Sequence, residues 1–205
     1  MESCLAAIRT ATNNDDIVKI IYNAVESPDL YTFSEILAEN AVKGLLNHPE
    51  FARFYHLLQL FAYGTYEQYL LEKEELPELT HAMILKLRQL TLVSMCVQHK
   101  QIPVKEAMNL LRLDSVLELQ AIFIGAVYAG ILQGKWNTEK ETIEVQSWRS
   151  RDVQAEELNT MRLRLSRWIH YCSNAVEGLE NIVTNAEKAI ADAEANELKA
   201  LNYFS

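Results

Sequence analysis

From Leu158 to Ala193 the chain repeats one apolar spacing: Leu158, Met161, Leu165, Trp168, Cys172, Ala175, Leu179, Ile182, Ala186, Ile190 and Ala193. Steps of three and four residues keep these side chains on one face of an α-helix. A second row at heptad spacing, Ile169, Val176, Val183 and again Ile190, widens the stripe. So wide a stripe suits a helical bundle better than a two-stranded seam. At 1.5 Å per residue, a continuous helix over residues 153–198 extends roughly 65–70 Å, beyond the width of a small domain. Its distal face, with Leu179, Ile182, Val183 and Ile190, then needs cover from another chain, because exposed apolar faces of that extent mark interaction sites. The residues expected to meet partner helices are Leu165, Trp168, Ile169, Cys172, Val176, Leu179, Ile182, Val183 and Ile190.

The region before residue 76 reads as short antiparallel helices that stack like a degenerate solenoid. Asn14, Asp15 or Asp16 caps a helix with Ile17, Ile20, Ile21, Ala24 and Val25 on one face. Ser27-Pro28 ends it, since the residue before proline is pushed out of the α region. Further helices are expected over residues 33 to about 39, from Pro49 through Phe61 with Gly64 as its stop, and over residues 66–72. Leu76-Pro-Glu-Leu79 looks like a joint.

After the joint the pattern becomes three helices and a hairpin. Thr80 is a plausible N-cap for a helix to about Gln98, and Pro103 opens the next one. Ser115 and Glu118 have capping-box spacing before a helix expected to bury Val116, Leu119, Ile122, Phe123, Ala126 and Val127. Gly130 is placed to end it in the left-handed conformation. The β-rich runs 131–136 and 142–148 flank a polar turn, with Ile143 and Val145 on one face. Three short helices followed by a hairpin make a winged helix. The fold class is therefore mainly α: an N-terminal helical-repeat bundle over residues 1–78, a winged helix over 79–152 and a long C-terminal helix over 153–205. The edge of the hairpin is a second expected contact, through Lys135, Trp136, Ile143, Val145 and Trp148, because an unpaired strand edge accepts another strand.

No chemistry-bearing pattern stands out. His48, His56, His81, His99 and His170 are scattered, with no metal-ligand spacing. Phosphate-binding glycine loops and nucleophile elbows are absent from the sequence. No catalytic residue, metal ligand or cofactor site is nominated, and no small-molecule substrate is expected. A net charge of -9 argues against nucleic acid. So does the second helix of the helix-turn-helix, which lacks Lys and Arg from Ser115 to Ala129. Lys135, Lys140, Arg149 and Arg151 give the hairpin only a modest basic character. The three cysteines, Cys4, Cys96 and Cys172, lie far apart and form no CxxC pair, which suits a reducing compartment. No secretory leader is visible after Glu2, and no apolar run is long enough to span a membrane.

Several segments bear a family look: Leu30-Tyr-Thr-Phe-Ser-Glu-Ile-Leu37, the run Leu57 to Tyr69 with Phe61-Ala-Tyr-Gly-Thr-Tyr66 inside it, Lys86-Leu-Arg-Gln-Leu-Thr-Leu92, and Ala126 to Lys135. With these the chain resembles the PCI modules shared by the proteasome lid, the signalosome and translation initiation factor three. It is most similar to the subunit-seven family of the COP-nine signalosome. Glu144-Val145 and Arg151-Asp152 fit that family's hairpin exit, whereas Trp136-Asn137 stands where the family usually has a Leu-Asp type pair.

The resemblance implies a non-catalytic scaffold that supports removal of the ubiquitin-like modifier Nedd-eight from cullins. The zinc isopeptidase centre of that complex lies on another subunit. Winged helices of the family associate edge to edge, and their C-terminal helices gather in one bundle. The partners implied are other PCI-domain and signalosome subunits in a hetero-oligomer, located in cytoplasm and nucleus, with weak self-association of the free chain left open. The alternatives are a PCI subunit of the proteasome lid or of translation initiation factor three, and a nucleic-acid-binding winged helix.

Overall fold

The structure, a computed structural model, describes residues 2–11 and 13–203. Internal packing divides the chain into two units, residues 1–153 and 154–205. The first unit opens with helices α1 (Glu2–Thr10), α2 (Asn14–Glu26), α3 (Ser34–Ala38) and α4 (Asn40–Gly44). A 3-10 turn, Leu45–Asn47, leads into α5 (Pro49–Tyr63) and α6 (Tyr66–Leu71). Amphipathic α2 turns Ile17, Ile21, Ala24 and Val25 inward. They meet Phe33, Ile36, Val42, Leu57, Leu58 and Phe61 in one buried cluster. Helix α1, which the sequence pattern did not place, adds Ile8 to it.

Helix α7 (His81–Gln98) is buried on nearly all sides, and that explains its many apolar residues. Met83, Leu87 and Leu90 belong to the helical core. Leu92, Val93, Met95 and Cys96 belong to a second core beyond it. One helix is thus shared by two layers of the unit. Two of its buried polar side chains, Lys86 and Thr91, are paired, whereas Arg88 Nε is buried without a partner. Thr91 Oγ1 donates to Leu87 O at 2.8 Å and accepts from Tyr66 N at 2.9 Å, an amide that the start of α6 would otherwise leave free. Thr80 caps α7 by accepting from Met83 N. The reciprocal capping box that closes is at Thr65 and Gln68, ahead of α6.

The second layer is a winged helix. Strand β1 (Gln101–Pro103), α8 (Val104–Leu111), α9 (Val116–Tyr128), β2 (Leu132–Asn137) and β3 (Thr142–Trp148) follow α7. The sheet is antiparallel with order β1-β3-β2. The hairpin was expected; the third strand was not. Ile102 of β1 lies opposite Ile143, and both are fully buried. Pro103 ends the edge strand, where its missing amide breaks no ladder, and serves as the N-cap residue of α8. Ser115 Oγ accepts from Leu117 N at 3.2 Å to start α9. Gly130 follows α9 with φ +69, the left-handed residue that lets the chain turn into β2.

The second unit is α10 (Ala155–Tyr203). Its described side chains are exposed from Ala155 onward.

Candidate interaction surfaces

Where the chain leaves the hairpin, two charged residues tie the wing to the helical layer. Arg151 Nη1 donates to Gly64 O and to Ser94 Oγ, both at 2.8 Å, and Nη2 donates to Phe61 O at 2.8 Å. Two of those acceptors lie at the C-terminal end of α5, where orphan carbonyls and the helix dipole favour a cation. Burial pulls the guanidinium down to about 10, while neighbouring Asp152 opposes the shift, so the group stays charged at neutral pH. Gly64 is required there: a Cβ would sit 2.6 Å from Leu60 Cδ1 and 2.8 Å from Leu60 O. Asp152 Oδ2 accepts from Phe33 N at 2.5 Å.

Phe33 is the common point of a second tie. Lys86 Nζ donates to Val25 O at 2.7 Å and to Ser27 O at 2.6 Å, closing the end of α2. The ammonium also lies 5.3 Å from the centre of the Tyr31 ring and 5.2 Å from that of Phe33. Burial lowers its pKa to about 8, with Asp29 pulling the other way. The Phe33 ring meets Phe61 edge to face at 6.0 Å. Lys86, Arg151 and Asp152 stand in the segments that carry the resemblance, yet spacing alone gave no hint of these contacts. Their partners lie 57 to 119 residues away along the chain.

The expected wing residues separate into two groups. Lys135 is exposed on β2, an edge strand with no neighbour on its outer side among the described residues. Trp136 is half-buried, its ring 6.0 Å from Phe123, and Trp148 is half-buried at the end of β3. Ile143 and Val145 are a correction. They sit on the central strand, buried, because β1 covers the side of β3 that a two-stranded hairpin would leave open. Both belong to the core and are not available to a partner, and the open edges of the sheet are β1 and β2.

Helix α9 also differs from expectation. Leu119, Ile122, Phe123 and Ala126 point inward, but Val116 is 41% and Val127 38% exposed. Leu117, Ile124 and Tyr128 are more exposed still. The helix that reads bases in DNA-binding relatives of this fold presents apolar side chains here. The preceding cation, Arg112, is in contact with Glu67 at 3.4 Å.

Along α10 the expected contact residues remain uncovered. Leu165, Trp168, Ile169, Val176, Leu179, Ile182, Val183 and Ile190 are 54–65% exposed, and Cys172 is an exposed free thiol. Trp168, Ile169, Cys172 and Val176 line one shallow apolar hollow, and Val176, Leu179 and Val183 line the next. By contrast Cys96 is buried and pushed up to about 11, which suppresses its thiolate. Among the described residues no group of three or more potential metal ligands converges, and no helix is long and apolar enough to cross a membrane.

Comparison with known proteins follows this architecture. A model of the PCI domain matches residues 63–147, from the last residue of α5 into β3. Subunit 7 of the COP9 signalosome complex of Drosophila melanogaster is 35% identical over 176 residues, which is 84% of this chain and 63% of that protein. Subunit 7a of the same complex in Mus musculus is 34% identical over 172 residues, 84% of this chain and 62% of that protein. The Dictyostelium discoideum subunit 7 is 33% identical over 172 residues, 84% of this chain and 66% of that protein. The chain thus spans less than two thirds of the length of each of these relatives. The PCI match covers the winged helix and the helix it shares with the repeats, and the relatives' likeness extends over most of the chain; the chain belongs to the PCI-domain family.

Proposed function

We propose that this chain is a scaffold subunit of the COP-nine signalosome without catalytic activity of its own. In this role it supports removal of Nedd-eight from cullins by holding other PCI subunits in place, in cytoplasm and nucleus. The observation that carries the proposal is the uncovered stripe of α10 in a chain whose first unit is well packed. Eight large apolar side chains more than half exposed are costly to leave in water, at roughly 1.5–3 kcal/mol for each one fully buried on association. Likeness to subunit 7 of several organisms supports this choice of assembly. Residues 1–78, 79–152 and 153–205 then act as spacer, wing contact and bundle contact. Lys135, Trp136 and Trp148 mark the wing contact, on and beside the open edge of β2. The apolar outer face of α9, without Lys or Arg, supports protein partners over nucleic acid.

The test is Leu179→Asp together with Ile182→Asp. Co-purification with the other signalosome subunits is expected to be lost, while the thermal transition of the first unit stays in place. Undiminished co-purification would sink the bundle contact.

A further inference from the structure

We propose that, without its partners, α10 pairs through the same face with α10 of a second copy, antiparallel, with Cys172 at the two-fold axis. The order of charges along the helix carries the inference. Glu156 and Glu157 come first, then the cations Arg162, Arg164 and Arg167, then the anions Glu177, Glu180 and Glu187, then Lys188. Copies lying in the same direction would set the arginines beside arginines and the glutamates beside glutamates. Reversal about Cys172 puts each residue level with the one equally far along on the other side. Arg167 and Arg164 then lie at the same heights as Glu177 and Glu180 of the second copy, and Glu156 at that of Lys188, but on opposite edges or outer faces of the pair, and Glu157 comes level with Glu187, so the direct charge contact falls to Arg162. Arg162 shares an edge of the stripe with Glu180 and Glu187 and can reach both across the pair. The helix dipoles also oppose each other in this arrangement.

The same reversal aligns the apolar stripe. Cys172, on its centre line, meets itself; Trp168 comes level with Val176, and Leu165 with Leu179. A large residue faces a medium one at the tryptophan layer, as close packing of facing helices requires. The inference does not rest on the signalosome reading. Self-association is measured without partners and co-purification with them, so either can fail alone.

The test uses the full chain. Sedimentation equilibrium at about 100 µM should show a dimer. Arg162→Glu, Arg164→Glu and Arg167→Glu together should weaken it about tenfold or more. Adding Glu177→Lys, Glu180→Lys and Glu187→Lys to that same chain should restore it, because the swapped segments again oppose each other. Direction is read by cross-linking in a Cys4→Ser, Cys172→Ala background. A short bis-maleimide should join Met161→Cys chains to Val183→Cys chains and leave either alone uncoupled. Far-UV circular dichroism verifies that each variant keeps its helix. A monomer at that concentration, a charge swap that fails to restore the dimer, or Met161→Cys chains joined to each other would overturn the proposal.

Discussion

Arg151→Ala should destabilise the first unit more than any surface change, although the residue lies outside every secondary-structure element. The guanidinium makes three hydrogen bonds of 2.8 Å, two of them to carbonyls at the end of α5. A hydrogen bond to a charged group contributes about 1.5–3 kcal/mol, and a buried acceptor left unpaired costs about 1–3 kcal/mol. Against this, the Nε of Arg151 is buried without a partner, so the wild-type site already bears some desolvation cost. The net loss on truncation is therefore about 2–4 kcal/mol, a large share of the roughly 5–15 kcal/mol that holds a domain. Arg151→Lys should recover less than half of it, because an ammonium cannot reproduce the planar fork. Urea unfolding followed by tryptophan fluorescence reads the change through Trp136 and Trp148. With a slope of about 1–3 kcal/mol per molar, the midpoint should fall by roughly 1–2 M. A shift below about 0.3 M would show instead that water replaces the guanidinium at little cost.

Two further outcomes follow from the same geometry. Lys86→Met should cost about 1–3 kcal/mol at neutral pH by unpairing the carbonyls of Val25 and Ser27. The folded-state pKa of Lys86, about 8, lies below its ordinary 10.5, so the folded chain sheds this proton first. Its contribution is flat below pH 8 and rises toward pH 10.5, so the wild-type advantage over Lys86→Met should widen across that window in denaturation series. Gly130→Ala forces a β-carbon into the left-handed region at φ +69 and should cost about 1–2 kcal/mol, measured as a lower thermal midpoint of the first unit.

What could be read from sequence was what local rules govern. The α10 stripe, the Thr80 cap, the Gly130 stop and the β2–β3 hairpin depend on spacing or on one residue's conformational preference. Strand β1 escaped because three residues carry no alternation, and Pro103 signals a helix start as strongly as a strand end. Without β1, Ile143 and Val145 looked like an edge when they are the centre of the sheet. Helix α9 was misoriented at Val116 and Val127 because it is apolar almost all round, so periodicity does not choose the buried side. The roles of Lys86, Arg151 and Asp152 come from carbonyls and an amide that only the tertiary fold brings near.

If, as proposed, the uncovered face of α10 binds this chain into the signalosome, removing that face must abolish its assembly. The most direct test is co-expression with signalosome subunits, comparing the full chain with one that stops after Arg167. The expected result is a truncated chain whose first unit still unfolds cooperatively but which no longer enters the complex. Full assembly by the truncated chain would contradict it and move the principal contact to the winged helix.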